Sequence, residues 1–188
     1  MAEKKKLAMF DMDGTLYDTI EINYYAYREA IAHFGVDLDR DFFMNECFGH
    51  NYKTFIPMIM GDSEHAEEIH ELKMADYKKY FDKAKMNSHL FTIIEDLRKD
   101  YYIALVTTGS KKNVYEIVRH FGHEDLFDLI VTQADVAAQK PDPEAYLFAM
   151  NHFGVKPEDC LIFEDSRSGL TAAKKSGAQV FKVENFID

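Results

Sequence analysis

Two carboxylates spaced two positions apart, Asp11 and Asp13, follow a short apolar run and open onto a Gly-Thr turn. Acids at i and i+2 can converge where a strand ends, one to attack an electrophile and the other to move protons. Further reactive groups recur much later in the chain, in Thr107-Thr108-Gly109-Ser110, Lys140-Pro141-Asp142-Pro143 and Glu164-Asp165-Ser166. Gathered on one rim, these groups suit phosphoryl transfer. Asp11 would attack phosphorus and form an aspartyl-phosphate. Asp13 would protonate the departing alcohol, then activate the water that releases phosphate. Asp165, with Glu164 beside it, would share a hard, oxygen-liganded cation with Asp11, and Mg²⁺ suits that ligand set. Lys140 and the hydroxyl and N–H groups of Thr107, Thr108 and Gly109 would stabilise the equatorial phosphoryl oxygens. Taken singly, each segment is ordinary turn or cap chemistry; their joint occurrence at strand ends is the argument for a site.

The elements that must position these groups follow from the hydrophobic pattern. Leu7 to Phe10 reads as a buried strand that stops at Asp11. From Ile20 the spacing turns helical, with Ile20, Tyr24, Tyr27, Ile31 and Phe34 on one face and Gly35 as a stop, and helical character continues to about Lys85. After that, strand and helix alternate. Strands are predicted at Tyr102–Val106, Leu126–Val131, Cys160–Phe163 and Val180–Val183. Between them lie helices capped by Ser110 and by Asp142 with Pro143 as its first residue, then a small-residue helix from Ser168 to Ser176. The alternation predicts an α/β fold, a Rossmann-like parallel sheet with helices on both faces. Residues 1–16 and 84–188 would form this core, and residues 17–83 a small helical domain inserted after the first strand. In such sheets ligands bind beyond the carboxyl ends of the strands, where the acids, hydroxyls and lysine are expected.

Composition limits the partners. Of 188 residues 47% are hydrophobic, enough for a sizeable core, and the formal net charge is −11. That field repels nucleic acid and anionic membranes, and it repels a phosphorylated substrate at long range unless a cation and local positive groups reverse it. Cys47 and Cys160 stand far apart and give neither a disulfide framework nor a zinc knuckle. The basic start, Met1 to Lys6, leads into an apolar run too short for a signal peptide, so the expectation is a cytoplasmic protein, monomeric by default.

At this point the sequence resembles the haloacid dehalogenase superfamily, in the branch of phosphoglycolate phosphatase and β-phosphoglucomutase. Four stretches carry the resemblance: DMDGTLYDT (Asp11 to Thr19), ALVTTGS (Ala104 to Ser110), KPDPEAY (Lys140 to Tyr146) and FEDSRSG (Phe163 to Gly169). The resemblance implies Asp11 as nucleophile and Mg²⁺ ligand, and Asp13 as acid/base that lends its backbone carbonyl to the metal. It further implies that Thr107 and Lys140 hold phosphate and that Asp165 ligates the metal with Glu164 supporting. It also implies that the helical insertion is a cap closing over the site. Dehalogenating members replace the second acid of the first motif with an aromatic residue, so Asp13 points away from dehalogenation. The phosphonate-cleaving branch lacks that acid too. One departure stands out: Asn87-Ser88-His89 replaces the Pro-Gly pair that usually precedes the second motif. In the insertion, Phe48 to Lys53 (FGHNYK) resembles a specificity loop, which marks His50, Asn51 and Lys53, and Lys73 with Tyr77 resembles a recurrent Lys-x-x-x-Tyr pattern.

The expected reaction is hydrolysis of a small phosphorylated metabolite or of pyrophosphate. A sugar-phosphate mutase is the nearest alternative, disfavoured because no arginine stands where the mutase holds its distal phosphate. A response-regulator switch would place its acceptor Asp after the middle strand, where Val106-Thr107 stands, and would leave the insertion unexplained. An inactive binding descendant would have lost one of Asp11, Asp13, Lys140 or Asp165. The eight histidines lack transition-metal spacing, and no dinucleotide or P-loop motif is present.

Overall fold

The computed structural model describes residues 4–48 and 50–184; Gly49, inside the expected specificity loop, and the start of the basic N-terminal run lie outside the described residues. In chain order the elements begin with β1 (Lys6–Phe10), β2 (Tyr17–Asp18), α1 (Ile20–Ala32) and α2 (Arg40–Phe42), which runs into a π-helical turn at Phe43–Cys47. Next come α3 (Tyr52–Met60), α4 (Ala66–Asp76) with a 3₁₀ continuation at Tyr77–Lys83, β3 (Lys85–Met86) and α5 (Ser88–Leu97). The rest alternates: β4 (Tyr101–Val106), α6 (Lys111–His120), β5 (Leu129–Val131), α7 (Glu144–Phe153), β6 (Cys160–Glu164), α8 (Arg167–Ser176) and β7 (Gln179–Lys182).

Five strands form one parallel sheet in the order β5-β4-β1-β6-β7. Buried on both faces, its central strands are continuous apolar runs, as parallel strands must be when helices cover them. Leu7 and Met9 on one face of β1 meet Tyr146, Ala149 and Met150 of α7 and Ala172 and Ala173 of α8 in one buried cluster. Ala8 and Phe10 point to the opposite face and are as fully buried. The chain separates into two compact units, Met1–Asp18 with Met86–Asp188, and Thr19–Lys85. These boundaries fall two residues after those expected from sequence. The helical unit has its own core of Tyr24, Tyr27, Ile31, Phe43, Phe55, Ile56 and Ile69. No helix among the described residues is long and apolar enough to cross a membrane.

Several elements differ from their sequence-based expectations. The strand expected over Leu126–Val131 pairs only from Leu129; Leu126 is buried in a turn, so its apolarity reflects packing and not strand pairing. The helix expected from Pro143 starts at Glu144, and Asp142 Oδ1 accepts from Glu144 N at 3.0 Å. The last strand ends at Lys182 and not at Val183, and the helical character expected to about Lys85 is 3₁₀ from Tyr77 and ends at Lys83.

Asn87 resolves the departure at the second linker. Its Oδ1 accepts from Leu90 N at 3.3 Å and caps α5, its Nδ2 donates to Thr15 O at 3.3 Å, and its backbone N donates to Leu16 O at 2.9 Å. One side chain thus ends the linker and ties it to the loop after β1. Asn87→Ala is expected to lower stability by about 1 kcal/mol, read as a shift in urea midpoint; the neighbouring exposed Ser88→Ala should stay within about 0.5 kcal/mol.

Candidate active site

Register places the reactive groups at one level. Phe10 lies opposite both Leu105 and Phe163, so Asp11, Val106 and Glu164 emerge together from three adjacent strands. Asp11 N donates to Phe163 O at 3.0 Å, which fixes the backbone at that point. The sheet order reverses direction at β1, the place where an open parallel sheet forms its ligand crevice.

Lys140 reaches this point from the loop before α7. Its ammonium donates to Asp11 Oδ1 at 2.5 Å, Glu164 Oε2 at 2.7 Å and Val106 O at 3.1 Å, with the side chain only 3% exposed. The loop is strapped in place by Glu144, whose carboxylate accepts from Ala137 N at 2.9 Å and Ala138 N at 2.7 Å. Burial would lower the ammonium's pKa, but the facing Asp11, Tyr146 and Glu164 outweigh it and hold Lys140 well above the ordinary lysine value.

Glu164 is fully buried and saturated with donors. Oε2 accepts from Lys140 and from Tyr146 OH at 2.8 Å. Oε1 accepts from Asp165 N at 3.1 Å, Ser166 N at 3.0 Å and Ser166 Oγ at 2.9 Å. Burial pushes its pKa up, yet Lys140 and these hydrogen bonds hold it below the usual carboxylate range. The carboxylate fits only because residue 169 is glycine: a Cβ there would lie 1.8 Å from Glu164 Oε2.

Asp165 faces the other way. Its Oδ1 accepts from Thr15 Oγ1 at 2.8 Å, and its Oδ2 lies 2.3 Å from where a Cβ on Gly14 would stand. Gly14 is therefore required twice, by this approach and by its φ of +86°. Carboxylate oxygens of Asp11, Glu164 and Asp165 lie within 4.8 Å of one another. Three acids facing one ammonium leave a local excess of two negative charges, and burial pushes the pKa of Asp11 well up and that of Asp165 up. An all-oxygen donor set with a deficit of two charges fits a hard divalent cation. Because Glu164 already takes five hydrogen bonds, Asp11 and Asp165 are the side chains with oxygens to offer.

The other expected residues are placed as follows. Thr107 is buried, with Oγ1 accepting from Gly109 N at 3.0 Å, while Thr108 is exposed and Ser110 caps α6. Asp13 is half-buried, and its charge contributes to the rise at Asp11. His50, Asn51, Lys53 and Lys73 belong to the helical unit. His50 is exposed, Asn51 caps α3, Lys53 pairs with Glu67 at 2.7 Å, and Lys73 is buried with its ammonium 4.1 Å from the Tyr77 ring centroid. Sequence reasoning gave no role to Tyr146, Glu144 or Thr15. Tyr146 lay within a motif already singled out, and its only distinguishing signal was a hydroxyl on an otherwise apolar helix face.

A parallel sheet carrying an acid pair after its first strand, and a lysine and a second acid pair on neighbouring segments, marks a class of hydrolases with a Rossmann-like sheet. The chain belongs to the haloacid dehalogenase-like hydrolase family, whose model matches residues 8–183. It is 31% identical over 176 residues to the phosphorylated carbohydrates phosphatase of Thermotoga maritima, covering 91% of this chain and 81% of that one. It is 30% identical over 183 residues to the β-phosphoglucomutase of Bacillus subtilis, covering 92% and 80%. Among solved structures, CbbY from Rhodobacter sphaeroides in complex with phosphate superposes with a TM-score of 0.82 at 28% identity, covering 96% of this chain and 87% of that one.

Gly169→Ala forces the Glu164 carboxylate off its partners and should cost about 3 kcal/mol. Tyr146→Phe removes one donor from a buried carboxylate and should cost about 1–3 kcal/mol. Denaturant melts of both variants check the ranking.

Proposed function

We propose that the chain is a Mg²⁺-dependent phosphatase of small phosphate monoesters, sugar phosphates foremost, working through an aspartyl-phosphate on Asp11. The observation that carries this reading is the Asp11 carboxylate at a strand end, held by a buried Lys140 beside an acid cluster suited to a dication. One Asp11 oxygen attacks phosphorus as the ester P–O bond breaks, and Asp13 passes its proton to the leaving alcohol. Asp13, now a carboxylate, takes a proton from water, which attacks the acyl phosphate; the bond to Asp11 breaks and inorganic phosphate departs. Lys140 fixes the orientation of the nucleophile and faces developing negative charge, as do the Thr107 hydroxyl and the N-terminal turn of α6. The side chains of Asp11 and Asp165 and the backbone of Asp13 would hold Mg²⁺, which would supply charge neutralisation for a phosphate entering an acidic site.

Substrate choice is assigned to the helical unit, and the enzyme is taken as a cytoplasmic monomer. The carbohydrate-phosphate phosphatase relative supports the sugar-phosphate class. A second reading, a sugar-phosphate mutase, draws support from the β-phosphoglucomutase relative. In that case the phosphoenzyme passes its phosphoryl group to a sugar hydroxyl instead of water.

Phosphate release from a panel of monoesters and pyrophosphate should require Mg²⁺, stop in EDTA, and fall by at least about 10³-fold in Asp11→Asn, the loss expected when a covalent nucleophile is removed. Turnover persisting in EDTA or in that variant overturns the mechanism. Isomerisation of glucose 1-phosphate outpacing phosphate release would select the mutase.

A further inference from the structure

The loop that carries Asp13 ends on a buried tyrosine whose hydroxyl meets a histidine from a distant segment. After β1 the chain folds back sharply. Leu16 N and Tyr17 N both donate to Met12 O, at 3.0 and 2.9 Å, and Gly14 N donates to Tyr17 O at 2.8 Å. Asp13 and Tyr17 also form an isolated bridge. Residues 12–17 are thus one closed loop, and displacing Tyr17 displaces the backbone that presents Asp13. Asn87 holds the outer side of the same loop through Thr15 O and Leu16 O.

Tyr17 is completely buried. Its ring packs on Phe121, with centroids 5.1 Å apart, and on Phe91 at 5.5 Å; its OH lies 2.8 Å from His123 Nδ1. His123 in turn packs on Phe91 at 4.2 Å. The hydroxyl and the imidazole nitrogen add one polar contact to this aromatic packing. A hydrogen bond is directional where packing is not, and it fixes how deep and at what angle the ring sits. Burial lowers the His123 pKa and raises that of Tyr17, so both partners are neutral and share one hydrogen bond whose donor follows from the imidazole tautomer.

We propose that Tyr17 and His123 are positioning residues for Asp13: their hydrogen bond sets the register of the acid-bearing loop against Asp11. The proposal rests on Asp13 being the general acid of the reading above. It touches neither substrate nor metal, and acts only through the loop.

The leaving group supplies a test that a general structural defect does not mimic. An alkyl alcohol needs a proton as it departs, whereas p-nitrophenolate leaves without one. Second-order rates (kcat/KM) report the steps up to loss of the alcohol. For Tyr17→Phe and for His123→Phe, each of which keeps an aromatic ring in place, kcat/KM on glycerol 2-phosphate should fall about tenfold, a loss within the range set by general acid catalysis. On p-nitrophenyl phosphate the change should stay within about twofold, and the double variant should be no worse than either single one, because both remove the same bond. An equal fall on both esters, no fall on either, or multiplying losses in the double variant would overturn the proposal. Asp13→Asn separates it from the reading it rests on. If Asp13→Asn is impaired on glycerol 2-phosphate while both ring variants are not, the positioning role alone fails. If Asp13→Asn is unimpaired, the acid assignment fails and takes this proposal with it.

Discussion

The buried ammonium of Lys140 is the interaction on which the rest of the site depends. It touches the ends of three strands at once: Asp11 after β1, the Val106 carbonyl of β4 and Glu164 of β6. Taking one ammonium and two carboxylates out of water is costly, and the mutual attraction offsets that cost only when every remaining lone pair is satisfied. The protein meets this condition at Glu164 with Tyr146, Ser166 and two backbone N–H groups, and by leaving residue 169 without a side chain. It does not meet it at Asp11, where burial wins over Lys140 and raises the pKa.

The two acids of the Glu164-Asp165 pair divide along the strand. Adjacent residues at a strand end point in opposite directions, so one carboxylate turns into the protein and the other towards Gly14 and Thr15. The inward acid orients Lys140; the outward one keeps oxygen lone pairs available. A sequence with two adjacent acids shows the pair but not which of them is inward. That depends on which face of β6 meets α7, and hence on where Tyr146 and Lys140 arrive.

This contrast marks how far the sequence is legible. Short apolar runs ending in polar turns give β1, β4 and β6 to within a residue or two, because central parallel strands are buried on both faces and leave little ambiguity. The positions of Asp11, Thr107 and Glu164 follow from those strand ends, whereas Lys140 arrives from the loop before α7. Leu126 is apolar because a turn is packed, not because a strand is paired, and pattern alone does not separate the two. The break at Tyr77 is equally silent, since Tyr77 and Phe81 stay buried when the helix tightens and the apolar spacing continues across it. Tyr146, Glu144 and His123 are invisible for a different reason. Each acts through a partner between 6 and 106 positions away in the chain, and such pairings exist only once the topology has brought the segments together.

Global and local charge also act at different ranges here. The net charge of −11 opposes an anionic substrate at distances up to about a Debye length, roughly 8–10 Å at ordinary salt. Inside the crevice the relevant balance is local: three acids against one lysine, in surroundings where charges are screened far less than at the surface. A phosphate dianion added to that set without a cation would meet net repulsion from nearby carboxylates, which the single charge of Lys140, shared between two of them, only partly offsets. The acidity of the whole chain therefore does not argue against a phosphate-processing site. On the proposed reading, a divalent cation would be the group that lets the anion be held beside Asp11.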